Sequence, residues 1–193
     1  MGVRADSVEA TRTKILTAAT ALFGQTPFEQ VSLEDIARRA RTTVQTILRR
    51  FGSKEQLLVA SAAVASRRIA EQRDRAPVGD VRGSVQNLLE HYEEWGDRVL
   101  LFLAQEERVP VIRRFTEDKR AHHLRWVERS FAPMLSRLRG RTRVRRAAQL
   151  SVVTDVWAWR LLRRELHFSR AETEQAFFES IEALLSLSKG PKG

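Results

Sequence analysis

The sequence lacks cysteine and long apolar runs and has little proline or glycine, and each shortage excludes a class of protein. Without cysteine the chain has no disulfide, no thiolate metal site and no cysteine nucleophile. The longest uninterrupted apolar run, Val99–Ala104, is far too short to cross a bilayer. The first residues contain no apolar stretch that resembles a signal peptide. These observations predict a cytoplasmic protein that is not a membrane protein.

Positive charge is in excess. The 34 Lys and Arg residues outnumber the 24 Asp and Glu residues, which gives a formal net charge of +10, and only five of the basic residues are Lys. This balance favours a polyanionic partner, nucleic acid first and an acidic membrane surface second. Hydrophobic residues make up 42% of the chain, enough for a folded core.

Apolar residues recur at intervals of three and four almost throughout, which predicts an all-α fold of about nine helices. Only five Pro and nine Gly interrupt the 193 residues, and they fall mostly between the periodic segments. The spacing predicts helices over 7–23, 33–40, 44–51 and 53–75, and near 81–95, 97–107, 110–138, 143–166 and 170–187. The last residues, 188–193, are expected to form a frayed tail.

The two short helices predicted over 33–40 and 44–51 have the spacing of a helix-turn-helix motif. Ile47 and Phe51 are expected to face the first helix of the pair. The outward side of the second helix presents Thr43, Gln45, Thr46, Arg49 and Arg50. Gln can pair with adenine, Arg with guanine, and Thr can contact the thymine methyl. Residues 38–54 carry six basic side chains and no acid, as phosphate contact requires. An ordinary three-helix bundle with a solvated basic face is the alternative.

Three segments carry a resemblance to a known family. TRTKILTAATALF, VSLEDIARRA and TTVQTILRRFGSKEQLL, which together span residues 11–58, resemble the N-terminal domain of the TetR/AcrR family of transcriptional regulators. The resemblance implies an all-helical homodimer whose first three helices bind DNA. It further implies a larger C-terminal domain that binds a small molecule and dimerises. We therefore expect a DNA-binding domain over 1–52 and a ligand-binding and dimerisation domain over 53–187, followed by a flexible tail over 188–193.

Residue by residue, the resemblance assigns a set of DNA-binding positions. They are Ser32, Thr43, Val44, Gln45, Thr46, Leu48, Arg49, Arg50 and Lys54, and Arg41 is added to the predicted DNA-binding residues as a further phosphate contact. Three positions depart from the family pattern: Arg41 stands where Gly is common, Leu48 where Tyr is usual, and Gln25–Phe28 replace an aromatic-Gly turn. Gly is favoured in such a turn because it tolerates positive φ. Arg41 must therefore adopt a permitted conformation or be strained, and it can offer a further phosphate contact.

The remainder of the chain carries few motifs but many aromatic side chains. Aromatic residues on helices are usually core, yet in this architecture some are expected to line a ligand cavity. The predicted ligand-binding residues are Tyr92, Trp95, Phe102, Trp126 and Trp157. Such a lining suits a small-molecule effector that is apolar or aromatic.

Two apolar stripes lie near the C-terminus, and the resemblance implies that their helices pair with their copies in a two-fold four-helix bundle. They are formed by Ala147, Leu150, Val153, Trp157 and Leu161, and by Phe177, Phe178, Ile181, Leu184 and Leu185. The alternative is that these residues complete a monomer core. A basic cluster, Arg137–Arg146, straddles Gly140 and is predicted to be an exposed interhelical loop. A second nucleic-acid surface is the less favoured interpretation of this cluster.

No catalytic constellation is visible. The chain has no Gly-rich phosphate loop, nucleophile elbow or dinucleotide fingerprint, and its four His residues are not spaced as a metal site. We expect no enzyme activity, no catalytic or metal-binding residues and no cofactor. The sequence favours a repressor that binds a palindromic site on double-stranded DNA as a homodimer and that a small molecule releases. The alternatives are a sequence-indifferent DNA-coating protein and, least favoured, an enzyme on this scaffold.

Overall fold

The computed structural model describes the backbone of residues 2–186 and the side chains of residues 7–186, and this part of the chain contains helices and no strands. Its helices are α1 (Gly2–Phe23), α2 (Leu33–Ala40), α3 (Val44–Phe51), α4 (Lys54–Asp74), α5 (Val81–Leu103), α6 (Pro110–Ser130), α7 (Ala132–Leu135), α8 (Gly140–Val153), α9 (Val156–Arg160) and α10 (Arg170–Ser186). A 3₁₀ turn covers Phe28–Gln30, and a π-helical stretch covers Leu161–Glu165. The all-α prediction is confirmed, and the predicted tail lies outside the described residues.

The chain forms two compact units. The first comprises the residues up to Ile69 together with Leu101–Thr116, and the second comprises Ala70–Leu100 together with the residues from Glu117 onward. The unit boundaries fall inside α4, α5 and α6, so these three helices supply residues to both units. The domain limits predicted from the sequence, at residues 52 and 187, remain a proposal about function.

The core of the first unit joins α1, α2 and α3. Its fully or nearly buried side chains include Ile15, Ala18, Ala19, Phe23, Ile36, Ala37, Ala40, Ile47 and Phe51. These are the inward positions that the helical spacing predicts, and Leu22 and Leu33 pack against them half-buried. Burial of the apolar stripes holds the short helices α2 and α3 in place, since helices of eight residues are marginal alone.

The core of the second unit is built around large side chains. Phe131, Leu135, Leu150, Trp159, Phe177 and Ile181 are all at most 1% exposed. Two residues of each predicted dimer stripe, Ala147 with Leu150 and Phe177 with Ile181, are therefore buried inside the unit. For these four positions the monomer-core alternative holds.

Three predicted helix boundaries are wrong, each for a local reason. The helices predicted over 81–95 and 97–107 are one helix, α5, because Gly96 is used for packing and not for a break. The helix predicted over 110–138 stops at Ser130, shortly before Pro133, which lacks the N–H that a continuing helix needs. The helix predicted over 143–166 breaks before Asp155, whose carboxylate accepts the N–H of Trp157 and starts α9.

Two further boundaries also differ from the prediction. The first helix begins at Gly2 instead of Ser7. The basic cluster predicted as a loop is helical from Gly140 onward, and its last member, Arg146, is only 7% exposed. Gly140 permits this early start because it has a φ of 51°, at the entry to α8.

Candidate DNA-binding surface and effector region

Helix α2 begins with a side-chain cap. The Ser32 hydroxyl accepts the N–H of Asp35 at 3.0 Å and donates to the Asp35 carboxylate. This bond, assisted by the nearby Arg38, lowers the pKa of Asp35 from its usual value. Arg38 also forms an ion pair with Asp35. The Ser32 hydroxyl is thus committed to the cap, and Arg38 is partly neutralised within its own helix.

The turn between α2 and α3 depends on Arg41. This residue has a φ of 53° and a ψ of 53°, the left-handed conformation in which Gly is favoured. The N–H groups of Arg41 and Thr42 donate to the carbonyls of Arg38 and Ala37 and so close the end of α2. The Arg41 side chain is exposed. Arg41 thus occupies the left-handed region itself, which a non-Gly residue can adopt at an energetic cost.

Helix α3 presents a polar outer face over a buried inner one. Thr43 caps it by accepting the N–H of Thr46 at 3.1 Å. Ile47 is fully buried and anchors the inner face. The outer face exposes Gln45 and Arg49, which lie one helical turn apart on the same side. This arrangement can place a Gln and an Arg side by side against base edges in a major groove.

The other predicted DNA-binding residues differ in exposure. Leu48 is 41% exposed on the same face, where its side chain offers apolar contact in place of a hydroxyl. Val44 and Thr46 are half-buried, and so is Arg50, whose Nε has no hydrogen-bond partner within the protein. The assignment of these residues to DNA contact stays a prediction.

Lys54 already has partners inside the first unit. Its Nζ donates to the carbonyl oxygens of Phe28 at 2.9 Å and Val31 at 3.0 Å, and lies 4.3 Å from the centroid of the Phe28 ring. The N–H of Phe28 donates to Oε1 of the buried Gln105 at 2.7 Å. The turn between α1 and α2 is therefore clamped by side chains from two distant segments. The sequence analysis missed Gln105 because nothing local marks a buried amide.

A groove beside the turn between α2 and α3 was not predicted from the sequence. It is lined on the α1 side by Thr13, Lys14 and Thr17, and on the other side by Arg39 and Arg41. Three cationic side chains thus border one concave surface next to the start of α3. Lys14 and Thr17, spaced at i and i+3 on the helix before the motif, are the signal that could have predicted it.

The structure separates the five predicted ligand-binding aromatics. Tyr92, Trp95 and Trp126 are buried in the second unit. Phe102 belongs to the first unit, where its ring lies 5.3 Å from that of Phe115. Trp157 is 48% exposed. Three of the five can therefore contribute to one site in the second unit.

Two features are absent from the described residues. No group of three or more His, Asp or Glu side chains is arranged to hold a metal ion in this part of the chain. Over the same residues, no helix combines the length and the apolar character needed to span a membrane.

Comparison with known proteins agrees with this geometry. Residues 15–61 match the family model for bacterial regulatory proteins of the tetR family. These residues contain most of α1, all of α2 and α3, and the start of α4. No curated protein matches the sequence of this chain.

Solved structures share the fold over most of the chain. A transcriptional regulator from a Rhodococcus species has a TM-score of 0.71 at 13% identity, covering 90% of this chain and 95% of its own. A protein described as a transcriptional regulator from Streptomyces coelicolor has a TM-score of 0.66 at 20% identity, covering 91% and 98%. One described as a TetR-family regulator from Mesorhizobium loti has a TM-score of 0.64 at 21% identity, covering 94% and 97%. Residues 15–61 thus resemble the N-terminal domain of tetR-family regulatory proteins, and the chain shares the fold of these solved regulators over most of its length.

Proposed function

We propose that this protein is a cytoplasmic, homodimeric repressor that binds a palindromic DNA site and is released by a small-molecule effector. The observation that carries the proposal is the pair of helices α2 and α3. Ile47 and Phe51 bury the inner side of α3, and Gln45 and Arg49 remain exposed on its outer side. A helix held in this way can enter a major groove and read base edges. No catalytic step is part of the proposal.

Charge around α3 supports phosphate contact. Arg39, Arg41 and Arg49 have exposed side chains, and Lys14 lies with two of them along the groove beside the turn. Phosphate contacts supply most of the affinity of such proteins and make it sensitive to salt. Exposed Arg side chains near the reading helix are therefore what the proposed function requires.

The exposed face of α8 supports the homodimer. Val144 and Val152 are 67% and 70% exposed, and the exposed Ala148 lies between them at i+4 spacing. Exposed apolar stripes of this kind mark interaction surfaces. The outer faces also complement each other in charge, since α8 exposes Arg141 and Arg145 while α10 exposes acidic side chains. In a two-fold interface, α8 of each copy can face α10 of the other copy, so that the complementary charges meet twice.

Effector control is assigned to the second unit. Tyr92, Trp95 and Trp126 are the predicted aromatic residues that it buries. Effector binding there changes the position of α4, which supplies residues to both units, and alters the spacing of the two reading helices. Two-fold sites require a spacing of about 34–36 Å between half-sites. The effector must bind the non-DNA-binding state more tightly, and such coupling is typically about 1–3 kcal/mol.

The test is fluorescence anisotropy on the DNA upstream of the protein's own gene and on a scrambled duplex, across a salt series. We expect tight binding to the native DNA. As the salt concentration rises, binding to the scrambled duplex should be lost before binding to the native DNA. Gln45→Ala and Arg49→Ala should each cost about 1–3 kcal/mol of discrimination between the two duplexes. Arg137→Ala, which removes an exposed Arg from the second unit, is the matched control and should leave discrimination unchanged.

Two results would contradict the proposal. Unchanged selectivity in both α3 variants would remove the reading role of that helix. Equal binding of all sequences, including the upstream regions of neighbouring genes, would favour the DNA-coating alternative. That alternative draws on the exposed Arg137, Arg139, Arg141, Arg143 and Arg145.

A further inference from the structure

The second unit contains a buried cation that forms no direct ion pair. Arg73, in the last turn of α4, is 3% exposed. Its guanidinium forms no ion pair with any side chain of the described part of the chain. The adjacent Asp74 pairs instead with Arg129, at 3.3 Å. A buried charge is costly unless it is paired, so an unpaired Arg at this depth requires an explanation.

Aromatic and imidazole rings surround this guanidinium. Its Cζ lies 4.0 Å from the centroid of the Trp126 ring, and its Nη2 lies 3.3 Å from Nδ1 of His123. His123 stacks on Trp126 with 5.8 Å between ring centroids. Nε2 of His123 lies 3.1 Å from the hydroxyl of Thr154, whose carbonyl accepts the Tyr92 hydroxyl at 2.8 Å.

The electrostatics leave one net positive charge in this cluster. Burial lowers the pKa of Arg73 to about 10, which keeps it charged at neutral pH. Burial and the charge of Arg73 lower the pKa of His123 to about 3 and that of His91 well below its usual value, so both imidazoles are neutral. Among Arg73, His123 and His91, Arg73 is therefore the one charged side chain, and Asp74 and Arg129 also act on it electrostatically.

Unsatisfied polar atoms concentrate in the same unit. Eleven buried side-chain nitrogen and oxygen atoms among the described residues lack a hydrogen-bond partner, and all but Nε of Arg50 belong to the second unit. They include Nε of Arg73, Nε1 of Trp126, Nδ1 of His91 and Oγ of Ser151. Native proteins leave few such atoms unpaired, and an anion beside Arg73 would give an acceptor to its Nε.

We propose that Arg73, His123 and Trp126 form an anion subsite, and that the effector of this protein is an organic acid with an aromatic part and a carboxylate. A guanidinium and a carboxylate form paired, charge-assisted hydrogen bonds. The Nε of Arg73 and the Nε1 of Trp126 supply donors that have no acceptor within the protein. The buried rings of Trp126 and Tyr92 make the surroundings of this guanidinium aromatic, which favours an aromatic ligand.

This inference rests on the proposed function for the consequence of binding, but not for binding itself. Arg73 and Lys54 lie on the same helix, α4, and Lys54 clamps the turn between α1 and α2. An acid that pairs with Arg73 therefore acts on the helix whose Lys54 holds the turn between α1 and α2.

The test measures binding to the full-length protein by calorimetry and thermal unfolding at constant ionic strength. The probes are benzoate and phenylacetate, with benzamide and phenylacetamide as uncharged matches. We expect the acids to bind at least about tenfold more tightly than the amides, which corresponds to about 1.4 kcal/mol. Arg73→Met should abolish this preference. Arg75→Met, which changes an exposed Arg two residues later, should retain it.

The unfolding temperature without ligand shows whether Arg73→Met has lost a binding site or has simply failed to fold. If Arg73 awaits an external anion, Arg73→Met should unfold at the same temperature as the wild type or a higher one, because it removes an unpaired buried charge. Unfolding at a clearly lower temperature would assign Arg73 a purely structural role and overturn the proposal. Equal binding of acids and amides by the wild type would overturn it as well.

Further measurements distinguish failure of the anion subsite from failure of the proposed function. If inorganic phosphate or chloride raised the unfolding temperature as much as benzoate does, the site would accept any anion. The proposal that the effector is an organic acid would then be overturned. Benzoate that binds without weakening the DNA complex would leave the subsite standing and reject release by this ligand. If the protein bound DNA specifically but showed no preference for acids over amides, the anion subsite would be rejected and the proposed function would stand.

Discussion

At the scale of the residue, helix caps define the DNA-binding motif. Ser32 and Thr43 each accept an N–H in the first turn of their helix, at 3.0 and 3.1 Å. Such caps are typically worth about 1 kcal/mol each, which matters for helices of only eight residues. The sequence also predicts that both residues bind DNA. Their capping bonds show that these residues have a structural task whether or not DNA is bound.

Arg41 illustrates a residue whose conformation and function conflict. Left-handed conformation costs a non-Gly residue about 1–2 kcal/mol, and Gly loses about 0.5–1 kcal/mol more chain entropy on folding than other residues. We predict that Arg41→Gly raises the free energy of unfolding slightly, by about 0.5–1 kcal/mol, as measured by denaturant titration.

The same variant should weaken DNA binding and flatten its salt dependence, because it removes one cation from the groove beside the turn. Arg41→Ala is the matched control: it removes the same cation but keeps a side chain at the left-handed position. It should therefore lose DNA affinity without gaining stability. If both variants had wild-type affinity, Arg41 would make no phosphate contact.

At the scale of the element, α5 shows how packing overrides a helix breaker. A Cβ atom at position 96 would lie 2.5 Å from Cζ3 and 2.7 Å from Cη2 of Trp159. The fully buried indole thus rests against the backbone of α5, and only Gly permits this approach. The indole Nε1 donates to Glu93, three residues earlier on the same helix.

We predict that Gly96→Ala lowers the free energy of unfolding by about 1–2 kcal/mol. Overpacking in a core costs about 1–3 kcal/mol, and the better helix propensity of Ala recovers about 1 kcal/mol. Glu90→Ala, on the exposed side of the same helix, should change stability little. A Gly96→Ala protein as stable as the wild type would show that Trp159 can shift without cost.

At the scale of the whole molecule, the proposed dimer explains why α8 keeps an apolar outer face. We predict that Val152→Glu shifts the protein from dimer to monomer in sedimentation velocity, since it places a charge on the apolar stripe of the proposed interface. Val78→Glu is the control, because Val78 is 57% exposed but lies in the loop before α5. A Val152→Glu protein that remained fully dimeric would place the interface elsewhere.

Much of the first unit follows from the sequence. The limits of α2 and α3, and the inward positions Ile36, Ile47 and Phe51, agree with the periodicity, because short helices between strong caps leave few alternatives. In the second unit the sequence could not decide which apolar face is buried. Long helices there are apolar on more than one side, so Leu150 inside and Val152 outside look alike in sequence.

By itself, then, the sequence determined the helical class, the helix-turn-helix and the excess of positive charge, because periodicity, caps and composition are local properties. Only the tertiary structure decided what depends on distant segments meeting. It buried Arg73 against Trp126 and His123, joined Lys54 and Gln105 at the turn around Phe28, and closed Trp159 onto Gly96. Burial and the loss of solvent around a charge arise from packing, and no window of neighbouring residues encodes them.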